Sequence, residues 1–168
     1  MFYEFHRQMT KMLGQLDKWL DAAEAHAKAK AFDPNILVTS RLAPDQFSFA
    51  QQVQNACDTA KLSTGRLTTK PAAEQPDTET TLAELRTRIR AVIAYLESIS
   101  EADYEGAATR VITTPRWQGK VMSGSDYFME HAVPNFFFHL NHAYALLRHN
   151  GVAIGKRDYL GAQTRRDP

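Results

Sequence analysis

Cys57 is the only cysteine in the 168-residue sequence, so no disulfide can close within the chain and no multi-thiolate zinc site can be assembled. Long apolar runs are also missing. No stretch approaches the roughly twenty residues that a membrane-spanning helix requires, and the amino terminus opens into an amphipathic pattern instead of a signal peptide. Charge of one sign is scarce: 20 Lys and Arg against 19 Asp and Glu leave a net +1. Such a balance supplies no broad field to draw the chain onto nucleic acid or an anionic membrane. Glycine-rich phosphate loops, a nucleophile elbow, paired catalytic carboxylates and internal repeats are absent as well. The expectation is a cytoplasmic, soluble protein forming one domain over residues 1–168, with no nucleic-acid or membrane partner.

What the sequence does hold is helical periodicity. Phe5, Met9, Met12, Leu16, Trp19 and Ala23 alternate in steps of four and three, which predicts a first helix over residues 2–29. Residues 31–44 lose that period and read as a long loop, with Pro44 and Asp45 at the entrance of the next helix. A second helix over 46–67 carries Phe49, Val53, Ala56, Ala60 and Leu67, and its small inner residues permit a close neighbour. A polar connection at 68–78 ends in Asp77 or Thr78 as a cap. The third helix shows Leu82, Leu85, Ile89, Val92, Leu96 and Ile99 on one stripe, leaving Glu84, Arg86, Arg88 and Arg90 outside.

Between Glu101 and Gly124 the period disappears, and a β-branched run before Pro115 predicts a short hairpin or ordered loop. A fourth helix then runs from Ser125 to Asn150, with Gly151 as the left-handed residue beyond it and Pro134 as the source of a kink or a delayed start. The tail from Val152 is expected to fray. The fold class that follows is all-α: an antiparallel four-helix bundle with long connections.

The fourth helix is where chemistry could sit. At about 100° per residue, Phe128, Ala132, Asn135, Ala143 and Leu146 fall within about 40° of His139, so His139 points inward, while His131 and His142 lie at the edge of that face. A histidine in a bundle core is either a metal ligand or a side chain satisfied by a neighbouring carbonyl or hydroxyl. Phe137, Asn141, Tyr144 and Arg148 point the other way, where loops or a second copy of the chain would cover them. Cys57 faces the core, the place of a small hydrophobe more than of a nucleophile.

The run from Pro134 through His139, Arg148 and Gly151, followed by Gly155 to Gly161, resembles the carboxy-terminal signature of the DinB-like bundle proteins. Arg41 to Asp45 leading into Gln52 to Asp58 is similar to the branch of that superfamily known as domain of unknown function, family 1993. Together the two blocks and the helix order between them extend the resemblance over nearly the whole chain. It implies a dimeric bundle in which a histidine on the second helix and a His-x-x-x-His pair on the fourth bind zinc or nickel, some members being thiol transferases or hydrolases. His139 matches the second histidine of the pair, Asn135 stands in place of the first, and the second helix offers Gln54 or Asn55 where its histidine would be. The site implied is therefore a degenerate one: a pocket formed by Asn135, His139, His142, His131, Gln54 and Cys57 in a homodimer that either binds a small molecule or is purely structural, with no cofactor expected and zinc or nickel as the possible exception. The alternative is a divalent-metal enzyme, such as a thiol S-transferase or hydrolase, that uses His139 and rebuilds its ligand sphere from His131, His142, Asp58 or Cys57.

Overall fold

The computed structural model describes residues 1–167 and is built from four long helices with a two-stranded hairpin before the last. Helix α1 (Phe2–Lys30) buries Met9, Met12, Leu13, Leu16, Trp19, Leu20 and Ala23, the predicted stripe thickened by its neighbours, and ends where Ala31 turns left-handed. The following loop contains a 3₁₀ helix, Pro34–Thr39, capped by the Asp33 carboxylate and pinned to the core by Leu37 and Val38.

Helix α2 (Phe49–Thr68) starts three residues later than the pattern suggested. Ser48 and Gln51 close a reciprocal capping box, the Ser48 N–H donating to Gln51 Oε1 at 2.9 Å, so the helix begins at Phe49 and not at the Pro44-Asp45 turn. Helix α3 (Leu82–Glu97) shows the same correction. Its cap is Thr81 paired with Glu84, whereas Asp77 and Thr78 lie in the preceding connection. Arg88 also departs from expectation: it sits on the inner side of α3 with only 2% of its surface exposed.

Side-chain contacts between helices fix their directions. Arg90 with Asp17, Arg86 with Asp21 and His6 with Leu96 make α1 and α3 antiparallel. Asp58 with Arg88 and Lys70 with Tyr95 make α2 and α3 run the same way. The connection 69–81 therefore travels back along the bundle before α3 begins, and its acidic residues pass over α2 on the way.

The hairpin expected between 101 and 124 is present, β1 (Val111–Ile112) pairing with β2 (Met122–Ser123) in antiparallel register. It is docked by Gly124, where an added Cβ would lie 1.7 Å from the Ala107 carbonyl oxygen. The fourth helix opens as Gly124–Asp126, passes through a π-helical turn at Tyr127–Ala132 and continues as Val133–His149; we label the whole α4. Proline has no N–H and its ring crowds the turn before it, and the wider π-turn, with the Val133 N–H reaching back to Phe128 O, is how the helix absorbs Pro134.

Gly151 takes the left-handed conformation after α4 as expected, with φ +86°. The tail does not fray there. Val152 and Ile154 are buried, and α5 (Lys156–Leu160) packs on α1, where the Trp19 indole N–H donates to Asp158 O at 3.1 Å. This segment and α1 also cover two aromatics predicted to face outward: Tyr144 packs between Trp19 and Tyr159, and Phe137 packs on Phe5.

Candidate functional site

Helices α2 and α4 are joined by three polar rungs. Gln52, Thr59 and Arg66 recur every seven residues on α2, which places them on one face about 10 Å apart. Each meets a residue of α4 in antiparallel order. The His139 ring pairs with Gln52 Oε1 at 2.8 Å, Asn135 Nδ2 donates to Thr59 Oγ1 at 2.7 Å, and an Arg66 guanidinium N–H donates to the Tyr127 hydroxyl at 2.9 Å. These rungs lie along a groove of about 920 Å³, walled by the 3₁₀ turn Pro115–Trp117 on one side and by the 75–80 connection on the other.

The hydrogen-bonding chemistry of His139 can be worked out. Gln52 Nε2 donates to Phe47 O at 3.4 Å, which orients the Gln52 amide with its carbonyl oxygen toward the imidazole. An amide oxygen only accepts, so His139 carries its proton on Nδ1 and leaves Nε2 as a bare lone pair. Burial, helped by the nearby His142, lowers the His139 pKa to about 4, so the ring is neutral near pH 7. Its Nε2 has no partner among the described residues, yet it is not sealed from solvent, and His139 lines the groove. Asn135 Oδ1 is in the same condition. The groove floor thus presents two unpaired acceptors.

At one end of the groove the 75–80 connection brings Glu79 and Asp77 beside Asp58, all three around the Arg88 guanidinium at 2.8 to 2.9 Å, with Lys61 on Asp58 at 3.1 Å. Hydrogen bonds from Arg88 and Gln54 outweigh burial and hold the Glu79 carboxyl below the usual carboxylate range. At the other end Arg66 lies 5.8 Å from the Tyr127 ring centroid, and the Tyr127, His131 and Trp117 rings pack together.

The residues singled out in the sequence divide accordingly. Asn135, His139, His131 and Gln54 line one groove. His142 does not: it is half-buried, and its Nδ1–H donates to Phe138 O at 2.6 Å. Cys57 is fully buried in the apolar core, where burial pushes its thiol up to about 12, so it belongs to the packing and not to the pocket. On α2 the partners of His139 and Asn135 are Gln52 and Thr59, whereas Gln54 turns toward Glu79.

The donor set does not fit the zinc or nickel centre implied by the family resemblance. Such a centre needs about three imidazole, thiolate or carboxylate ligands aimed at one point. Here the imidazoles that line the groove, His139 and His131, stand eight residues apart on α4, about 12 Å along the helix. The amide of Asn135 is turned to Thr59, and among the described residues no group of three His, Cys, Asp or Glu side chains is placed to hold a metal ion, the carboxylates around Arg88 being engaged by it.

Gln52, Thr59, Arg66 and Tyr127 were not anticipated, although the seven-residue polar spacing on α2 was there to be seen. His6 was missed too. It is buried on α1, with Nε2–H donating to Leu96 O at 2.9 Å and Nδ1 accepting from the Tyr104 hydroxyl at 3.0 Å. Arg88 lies about 60° from Leu85 on the helical wheel, close enough to the apolar stripe to have been suspected.

Comparison with known proteins supplies the remaining context. Residues 2–160 match the model of a family described as domain of unknown function, DUF1993. Among solved structures, the crystal structure of a DinB family member protein from Shewanella denitrificans shares 51% identity and a TM-score of 0.96, the match covering 100% of this chain and 96% of that one. A search of curated proteins finds no match.

Proposed function

This chain belongs to the DinB-like family DUF1993, and from that premise we propose that it is a small-molecule-binding bundle whose ligand lies along the α2–α4 groove without a transition metal. The observation that carries this reading is the pair of unpaired acceptors, His139 Nε2 and Asn135 Oδ1, on the floor of a 920 Å³ groove. Both atoms reach solvent in the groove, so water meets them in the free protein, and a ligand displaces that water without loss only if it returns the hydrogen bonds. A ligand that donates hydrogen bonds, through hydroxyl, amine or amide groups, satisfies both. No helix among the described residues is long and apolar enough to cross a membrane, and the reading needs none.

The test is a fragment screen of polar small molecules observed on ¹⁵N-labelled protein. Hits are expected to move the resonances of Thr59, Asn135 and His139 together. Hits that gather instead at a second cavity of about 390 Å³, lined by Tyr3, His6 and Leu96 between α1 and the end of α3, or none at all, would sink the reading. Thermal unfolding with added zinc or nickel addresses the metal-enzyme alternative, because a ligand that binds only the native state raises the melting temperature. No rise is expected at micromolar metal. A rise that vanishes in His139→Ala would restore a metalloenzyme.

A further inference from the structure

The cations of the bundle are treated unequally. Arg86 and Arg88 each lie within 4 Å of three carboxylates. Arg66 is half-buried on the groove wall, and among the described residues it has no carboxylate partner, only the Tyr127 hydroxyl and ring face. Arg116, exposed on the turn that carries Trp117, also lines the groove and has no ion-pair or hydrogen-bond partner among the described residues. Contacts from Arg66 to Tyr127 and from Tyr127 to Trp117 put both arginines at the same end. A guanidinium partly removed from water and left without a counter-charge is costly, and Arg116, exposed on the neighbouring turn, adds positive charge to the same end of the groove. The Arg66 charge is felt locally, since together with burial it holds the His131 ring below its ordinary pKa.

From this arrangement we propose that the groove binds an elongated organic anion, its carboxylate or phosphate held between Arg66 and Arg116 and its hydrogen-bond donors laid toward Asn135 and His139. The proposal rests on the groove-binding reading above and specifies the ligand class. Orientation follows from the lining. Asp58, Asp77 and Glu79 stand toward the other end, so an anion placed there meets three carboxylates, already engaged by Arg88 and Lys61, while an anion at Arg66 meets none. The planar guanidinium fork suits either a carboxylate or a phosphate. The distance from Arg66 to Thr59 along α2, about 10 Å, sets the reach from the anionic group to the first donor.

Three probes of one length test this: hydroxyhexanoate, hydroxyhexyl phosphate and uncharged hexanediol, titrated into ¹⁵N-labelled protein. At least one anion is expected to shift the Trp117 indole and Arg66 side-chain resonances and to bind about tenfold or more tightly than hexanediol, as loss of a charged hydrogen bond implies. Comparing the two anions tells whether the natural group is a carboxylate or a phosphate. Arg66→Gln should remove that preference and Arg116→Gln, at an exposed turn position that leaves the fold alone, should reduce it severalfold. Anions binding no tighter than hexanediol while all three probes shift Asn135 and His139 would overturn the anion proposal and leave groove binding intact. An anion preference that survives both substitutions would also overturn it. No shift of any groove resonance would overturn both.

Discussion

His6 and His139 are both buried, at 3% and 6% exposure, yet they are in opposite chemical states of completion. His6, between α1 and α3, uses both ring nitrogens on protein partners. His139, between α2 and α4, uses one. In charge pairing, though not in every hydrogen bond, the same contrast separates Arg88, ringed by three carboxylates while its buried Nε lacks a partner, from Arg66, which faces none among the described residues. Polar groups that close on one another belong to the scaffold, because breaking them leaves a buried remainder. Polar groups left half-satisfied beside a cavity have room for something that is not the protein. The α1–α3 and α2–α3 contacts are thus structure, and the α2–α4 face is where we place the proposed ligand.

The largest effect should come from the closed side. Arg88→Met removes a cation whose side chain is 1% exposed and strands Glu79 and Asp58, so a loss of about 3–5 kcal/mol is expected in chemical denaturation. Arg66→Met, which strands no carboxylate, should cost under about 1 kcal/mol. Similar losses for the two would erase the distinction.

Next in size is the pH dependence. Burial lowers the pKa of His139 from 6.5 to about 4 in the fold, so the unfolded chain binds the proton more readily between those values. Stability is then complete above pH 6.5 and declines as pH falls toward 4, by about 3 kcal/mol for this group alone. Burial shifts His6 in the same direction, adding to the decline. Replacing His139 with Leu should flatten the slope of denaturation midpoint against pH between 6.5 and 4.5; an unchanged slope would show that its ring is not held neutral by the fold.

A smaller effect is expected from Thr59→Val, which removes one rung. Asn135 Nδ2 can turn to water in the groove, so the stability loss should be about 1 kcal/mol or less, while fragment binding at Asn135 weakens severalfold. Exposed His149, replaced by Ala, should change stability by less than about 0.5 kcal/mol and leave binding alone. A marked loss of binding in that variant would place the ligand elsewhere.

Much of this architecture was legible in the sequence, because apolar spacing reports which face is buried: the stripes of α1, α2 and α3 are buried as read, apart from the half-buried Phe5. Ends were less legible. Two capping boxes decided where α2 and α3 begin, and the tail held because Trp19 has a partner 139 residues away, a contact no local pattern contains. In the site, His139 and Asn135 could be placed inward from the wheel alone. Their partners could not, since pairing Gln52 with His139 and Thr59 with Asn135 depends on how α2 and α4 slide past each other. The rejection of Cys57 and His142 has the same origin: angle on a helix says which way a side chain leaves, and not whether a groove lies there.

The ring nitrogens of His139 give the most direct test of the open side. Long-range ¹H–¹⁵N correlation on labelled protein distinguishes a protonated from a bare imidazole nitrogen. The expected result is a neutral ring protonated at Nδ1, with Nε2 bare, unchanged from neutral pH to about pH 5, and with the Nε2 resonance moving when a groove ligand is added. A ring that titrates near 6.5, or one that carries its proton on Nε2, would contradict the account, because the groove floor would then lack the acceptor on which it depends.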